Sequence, residues 1–491
     1  MLMAIDQGTS SSRTIIFSKK GELISSHQLD LTQYYPQEAW VEQDPEEMWK
    51  NSLICCQDAL KKSHLSAKDI AAIGISNQRE TTIMWDRQTG KPIYPAIVWQ
   101  DRRTASLCKS LMEHPINAHL QQKTGLLLDP YFSATKIMWL LDHIPNARER
   151  AQKGELAFGT VDTFLVWHFT KGKSHVTDAT NASRTLLFNI HTQQWDTDIL
   201  NAFHIPKALL PTVLDNSAHF GETASEFLGA SIPITGIAGD QQAASIGQAC
   251  FEKGMIKSTY GTGCFMLLNT GEKPILSHNR LLATIAYRLQ NKVSYGLEGS
   301  ICSAGVIVKW MRDTLKWINT AAETEKLAES VSDNGGVYLV PGFTGLGAPY
   351  WDPDARGAIL GLTRNSSIPH IVRAGLEAVC YQTQDLLTAM QNDSQTTIKK
   401  LRVDGGMVVN NWLLQFLADI LTIPIERPCF FETSAQGVAF LAGLYVGVYS
   451  SLDEVSTLWQ MESRFNSTMT AVKRDYLYQG WQKSVARVLT N

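Results

Sequence analysis

Apolar and polar positions alternate with a period of two at the start of the chain. Met3 and Ile5, then Thr14 and Ile16, follow the spacing of strand residues. The pattern predicts strands over 2–6, 14–17 and 22–27, the first two flanking the turn in "AIDQGTSSSRTIIF". The period becomes helical in "DPEEMWKNSLICCQDALKKS", where Met48, Leu53 and Cys56 recur at helical spacing. Asp44 is the expected N-cap there, Pro45 the first helical residue, and acids fill the first turn. "IAAIGISNQRETTIMW" predicts strand, polar turn, strand. The second half repeats the opening. "MIKSTYGTGCFMLLNT" is again strand, Gly/Thr turn, strand, and "LRVDGGMVVNNWLLQFLADIL" is a strand, a Gly-Gly turn and an amphipathic helix. Two similar halves of this kind predict an α/β fold with mixed sheets flanked by helices and a cleft between two domains. With no Pro- or Ser-rich linker in sight, the boundary is expected between 248 and 254. That gives an N-terminal domain over 1–249 and a C-terminal domain over 250–491, tightly joined and able to hinge.

Composition narrows the function. A chain of 491 residues exceeds one ordinary core, and 44% hydrophobic with 19% charged residues is normal for a globular protein. A net charge of -3 argues against nucleic acid or an anionic membrane as partner. The longest apolar run, "GVAFLAGLYVGVY" (437–449), is too short to span a bilayer, so no stable membrane insertion is expected; its Gly and Ala predict a closely packed helix. Asp6 and Arg13 interrupt any leader-like apolar stretch, and the 8 cysteines, including the vicinal Cys55-Cys56, lack metal-ligand spacing. Reduced thiols in a cytoplasmic protein are the expectation.

The turns carry the candidate chemistry. None is a Walker A loop, yet Gly-rich turns can gather backbone N–H groups around an anion, and Ser and Thr add donors. Two such turns could grip a polyphosphate from both sides. A third, Gly405-Gly406, is expected at a helix N-terminus, where the helix dipole helps. Asp6 beside the first turn then needs a cation between carboxylate and phosphate, and Mg²⁺ suits. Asp240 falls at a strand–helix junction, as an N-cap or as a base for phosphoryl transfer, in which positioning and charge neutralisation dominate. Arg79-Glu80 is either a solvated ion pair or, in a cleft, a donor fork beside an acceptor that matches vicinal hydroxyls. Trp99, Tyr131 and Phe265 could wall such a pocket or simply pack inward.

"DQGTSSSR", "NQRETTIMW", "AIVWQDRRT", "DPYFSATK", "TDATNASRTLLFNI", "GIAGDQQAA", "YGTGCFMLLNTG", "GLGAPYWDPDARGAILGLTR" and "RVDGGMVVNN" follow one another between Asp6 and Asn411. Together they resemble the FGGY carbohydrate kinase family, specifically its members that phosphorylate glycerol. The resemblance implies two actin-like (ribonuclease H-like) ATPase domains, with ATP, Mg²⁺ and glycerol as partners and in-line transfer to give glycerol 3-phosphate and ADP. It implies a polyol site at Arg79, Glu80, Trp99, Tyr131, Asp240, Gln241 and Phe265, with Asp240 as base. It implies a nucleotide site at Thr9, Ser10, Ser11, Arg13, Thr262, Gly305, Lys309, Gly406 and Asn410, with Asp6 and Asp240 as metal carboxylates. Lys309 departs from the family's usual Gln. Three regulatory positions also depart: Ser231 for an effector-binding Arg, Glu226 for a phosphorylated His, and Lys473 for an acidic partner-binding residue. Insensitivity to fructose 1,6-bisphosphate, to phosphocarrier and to sugar-transport regulator is therefore expected, and a homodimer or homotetramer is among the possible assemblies. A kinase for a longer polyol or sugar and a non-catalytic actin-like ATPase remain the alternatives; the second leaves Arg79-Glu80, Trp99 and Tyr131 unexplained.

Overall fold

A computed structural model describes residues 1–343, 345–352 and 354–490. Thr344, Pro353 and Asn491 lie outside these, Pro353 within the "GLGAPYWDPDARG" stretch and all three within the expected second domain. The first main sheet holds β1 (Leu2–Gln7), β2 (Ser11–Phe17), β3 (Leu23–Asp30), β4 (Ala72–Asn77), β5 (Ser217–Glu222) and β6 (Pro233–Gly239), in the order β5-β6-β4-β1-β2-β3. The first three strands form an antiparallel meander, whereas β1, β4 and β6 run parallel.

The second main sheet holds β7 (Ile256–Tyr260), β8 (Cys264–Gly271), β9 (Leu282–Leu289), β10 (Lys292–Ile301), β11 (Leu401–Asp404), β12 (Ile425–Pro428) and β13 (Met461–Phe465). Its order is β9-β10-β8-β7-β11-β12-β13, with β7, β11 and β12 parallel. Apart from the added edge strand β9, this repeats the first sheet's strand directions, as the repeated hairpins predict; the chain order differs at the far edge, where β13 follows β12 but β5 precedes β6.

Alternation along each strand places side chains on two faces. In β1, Met3 and Ile5 join a core with α1 (Pro45–Ser63) and α2 (Val161–Phe169), while Leu2 and Ala4 face the other way. Helix α1 is capped by the Asp44 carboxylate accepting from Glu46 N, with Pro45 opening the helix, as expected. The opposite face of this sheet is covered by α3 (Asp240–Gly247) and by α4 (Thr433–Tyr445), a helix of the second half. Helix α4 approaches without room for side chains: a Cβ on Gly437 would lie 1.9 Å from the Ala243 carbonyl oxygen, and one on Gly74 would lie 2.2 Å from that of Val438. The small residues of "GVAFLAGLYVGVY" are there for this contact.

The predicted strand at Ile83–Asp86 forms and pairs with Leu156–Gly159 in a separate ribbon. One expectation changes. Gly405-Gly406 is not at the helix N-terminus. It opens a 3₁₀ turn (Gly406–Val409), and the helix α5 (Asn411–Leu421) starts after Asn410, whose side chain accepts from Leu413 N at 2.8 Å. All 8 cysteines, Cys55 and Cys56 included, are free thiols. Among the described residues no helix is long and apolar enough to cross a membrane.

Candidate active site

Parallel strands end together. Asp6 pairs in register with Ser76 and Asn77 with Gly239, so the C-terminal ends of β1, β4 and β6 bring Asp6, Arg79 and Asp240 to one sheet edge. Such edges are where open α/β sheets bind ligands. Asp240 is not an N-cap: Gly239 holds that position and Asp240 is the first helical residue. Its Oδ1 pairs with Arg79 Nε at 3.0 Å and accepts from Gln241 N at 2.7 Å, and its Oδ2 accepts from Gln241 Nε2 at 3.1 Å.

Arg79 and Glu80 are not a solvated pair, being 3% and 1% exposed. Arg79 Nη1 donates to Glu298 Oε2 and, at 3.2 Å, to Gln242 Oε1. Glu80 takes the left-handed backbone conformation (φ 60°), which is unfavourable for a side-chain-bearing residue and is found at functional sites. Several bonds hold it there. Ser133 Oγ and Thr82 Oγ1 both donate to its carbonyl at 3.0 Å, and Arg184 Nε donates to its carboxylate at 2.6 Å. Arg184 Nη2 reaches Glu298 Oε1 at 2.9 Å. Glu80, Arg184, Glu298 and Arg79 thus form a buried lattice of alternating charges that Arg79 extends to Asp240. Burial pushes Glu298 up, but Arg184 and Arg79 outweigh it and hold its carboxyl below the usual range.

The three aromatic candidates gather beside this lattice. The Trp99 ring lies 5.7 Å from Tyr131 and 6.2 Å from Phe265, with edges to faces, and the Arg79 guanidinium carbon is 6.0 Å from the Phe265 ring. Lys136, fully buried, anchors the Tyr131 loop by donating to the carbonyls of Pro130, Tyr131 and Phe132 at 2.8, 2.6 and 3.4 Å. A polar shell steadies the strand ends from below. Asn77 and Asn181 exchange amide bonds, Thr180 Oγ1 accepts from Gly239 N at 3.0 Å, and Asp178 accepts from Thr180, Asn181 and Asn216.

The nucleotide candidates divide. Thr262, Gly305, Lys309, Gly406 and Asn410 line one cavity of about 450 Å³, together with Gly261, at the ends of β7 and β11. Lys309 is exposed at its rim, on a helix over Gly305–Asp313. Thr9, Ser10, Ser11 and Arg13 are not in its lining; they sit across the molecule on the first hairpin. Thr9 Oγ1 accepts from Trp99 Nε1 at 2.9 Å, which ties this hairpin to the aromatic group. Ser10 is exposed and Ser11 half-buried. Arg13 pairs with Glu432, just before α4, and binds Gln28. Asp6 is pushed up to about 6 by withdrawal from water and by the Glu432 carboxylate, with Asp240 adding and Arg13 opposing.

Of the regulatory positions, Ser231 donates to Glu222 at 2.8 Å and Glu226 pairs with Lys171 at 2.7 Å. Sequence reasoning missed Arg184, Glu298, Lys257 and Lys136. The available signal was a charged residue inside an apolar run, as Glu298 is in "VSYGLEGSI" and Lys257 in "MIKSTY".

Comparisons with known proteins bear on the fold and the family. Residues 1–247 match the FGGY family of carbohydrate kinases, N-terminal domain, and residues 256–445 its C-terminal domain. A glycerol kinase of Coxiella burnetii (strain Dugway 5J108-111) is 60% identical over 490 residues, covering 100% of this chain and 98% of the relative. Glycerol kinase 1 of Pseudomonas aeruginosa is 59% identical, covering 99% and 98%. The crystal structure of Plasmodium falciparum glycerol kinase with ADP superposes with a TM-score of 0.93 at 39% identity, covering 100% of this chain and 98% of that one. The duplicated mixed sheets, the charged edge and the matched length leave one assignment: the chain belongs to the FGGY family of carbohydrate kinases.

Proposed function

We propose that this chain transfers the terminal phosphoryl group of ATP to a primary hydroxyl of glycerol, releasing glycerol 3-phosphate and ADP. The observation that carries the reading is the cluster of Arg79, Glu80, Asp240 and Gln241 at one sheet edge, flanked by Trp99, Tyr131 and Phe265. A hydroxyl both donates and accepts, so a guanidinium beside a carboxylate matches each of two neighbouring hydroxyls, and the ring faces take the carbon backbone. Asp240 accepts the proton of the attacking hydroxyl. An ionised carboxylate is a weak base, which suffices where the transition state is loose. ATP occupies the cavity of Thr262, Gly305, Gly406 and Asn410, with Lys309 at the rim and the hairpin of Thr9, Ser10, Ser11 and Arg13 meeting the phosphates from the other half. The two halves close on both substrates, which excludes water and limits idle hydrolysis.

The residues fit Mg²⁺. Around Asp6 lie the Ser76 hydroxyl and the Glu432 and Asp240 carboxylates, with Arg13 the one cation among them, and the repulsion of the three carboxylates is the field a hydrated divalent cation relieves. Asp6, with Asp240 beside it, would hold the hydrated ion, which would neutralise phosphate charge during transfer. The cytoplasm is the proposed compartment, and the departures at Ser231, Glu226 and Lys473 support an enzyme without those three controls.

A coupled assay of ADP release with glycerol, with a five-carbon ketose and with no acceptor tests the reading. Strong stimulation by glycerol alone is expected. Acceptor-independent release, or faster turnover of the ketose, would overturn it.

A further inference from the structure

Lys257 lies on β7 in the second half, is fully enclosed, and faces the first half's site. Its ammonium donates to Gln241 Oε1, to Thr259 Oγ1 at 2.9 Å and to the Phe265 carbonyl at 3.5 Å. A lysine has donors and no acceptor, whereas an amide has one end of each kind. Lys257 therefore dictates which way the Gln241 amide points: Oε1 toward the lysine, Nε2 toward Asp240. Nε2 then donates to Asp240 Oδ2 at 3.1 Å, while Arg79 and Gln241 N hold Oδ1. With the amide reversed, Oε1 would oppose Oδ2, acceptor against acceptor, and push the carboxylate off its line. We propose that Lys257 is a positioning residue for phosphoryl transfer, fixing the Gln241 amide and through it the Asp240 carboxylate. The strand that carries Lys257 runs directly into Gly261 and Thr262 of the cavity. Alignment of the base thus depends on the nucleotide-side hairpin being seated against the first half.

The inference rests on the functional reading above, in which Asp240 is the base. Its test compares wild type, Lys257→Met, Gln241→Ala and the double variant by steady-state kinetics. Lys257→Met is expected to lower kcat by about 10–100-fold, the usual effect of losing a supporting partner, with KM for ATP within about twofold of wild type. In the Gln241→Ala background the same substitution is expected to have almost no further effect, because there is no amide left to orient. A purely structural role would instead multiply through the double variant. If Lys257→Met does not fold, Lys257→Gln, which keeps a donor for Thr259, is measured in the same two backgrounds. Wild-type kcat in the lysine variant, or independent multiplicative losses, would overturn the inference. Absence of glycerol-dependent ADP release in the wild type would instead overturn the functional reading itself.

Discussion

Glu298 is the sharpest point at which to perturb the buried charge lattice. It is 1% exposed and is shared by two guanidinium groups, Arg79 on Oε2 and Arg184 on Oε1. Glu298→Gln keeps the shape and removes the one negative charge that both guanidinium groups share. It also turns an amide NH₂ toward a guanidinium, donor against donor. Removing one partner of a buried pair leaves an uncompensated charge and costs about 3–5 kcal/mol. Borne by a folding unit of about half the chain, that is a fall of about 10 °C in Tm. Function should suffer separately. Without its Glu298 tether the Arg79 fork loses its orientation toward the polyol, and KM for glycerol should rise about tenfold, equivalent to about 1.4 kcal/mol, while KM for ATP stays near wild type. The assay is a thermal melt alongside glycerol and ATP titrations. The decisive control is Arg79→Met/Glu298→Met, which removes one charge of each sign and leaves the Arg184–Glu80 pair intact. Replacing a buried pair by apolar groups of similar volume is often neutral or better, so the double variant should regain most of the lost Tm without regaining glycerol affinity. Equal Tm losses in single and double variants, or a single variant within about 2 °C of wild type, would refute charge balance as the cause.

Asp240→Asn should lower kcat by about 10²–10⁴-fold while a nucleotide titration stays unchanged, since Asp240 is outside the cavity lining; wild-type turnover would sink the base assignment. Burial lowers the Lys136 ammonium to about 8, against about 10.4 in an unfolded chain. Between those values the unfolded state binds more protons, so this group's contribution is fully present above about pH 10.4 and is lost as the pH falls through about 8. Urea unfolding of wild type against Lys136→Met should therefore show the difference shifting toward wild type by about 3 kcal/mol as pH rises across that window; a flat difference would contradict it. Gly437→Ala would set a methyl 1.9 Å from the Ala243 carbonyl oxygen and should destabilise the α3–α4 contact by about 1–3 kcal/mol or more, read as a lower Tm; an unshifted melt would show that α4 can move.

What the sequence disclosed and what it hid follow one physical division. The hairpin at Asp6 and helix α1 were legible because their determinants are local: alternation for the strands, Asp44, Pro45 and two acids for the helix. Asp240 was legible as a junction residue, but its side chain's partners were not, because Arg79 lies far away in the chain. Arg184 and Glu298 were hidden for the same reason. Glu298 is a lone charge in an apolar run and Arg184 follows a polar stretch, and each is satisfied by partners about a hundred or more residues away. The resemblance supplied the polyol positions and passed over these supports, since its motifs mark residues assigned to ligands. The Gly405-Gly406 turn was misplaced by a few residues because Asn410, a good cap, competes with the glycines for the helix start.

The duplicated scaffold explains why the two halves differ in chemistry. Both sheets present a hairpin and the ends of parallel strands at one edge, so both could have bound phosphate. The first half departs from the second between β4 and β5, where a long insertion supplies Trp99, Tyr131, Lys136 and Arg184. These residues crowd the first edge, and Thr9 is drawn to Trp99. At the second edge the cavity of about 450 Å³ stays open beside Gly261 and Gly406, and a Cβ on Gly406 would meet nothing within 4 Å. The second half returns the contribution through β7 and β10, which send Lys257 and Glu298 across to the first edge. Neither edge is complete alone: the proposed acceptor side takes its charge balance from Lys257 and Glu298, on strands of the half proposed to bind nucleotide. On the proposed reading, seating of the two halves and alignment of Asp240 are one equilibrium, and a substitution that loosens α4 on the first sheet should lower kcat before it lowers nucleotide affinity.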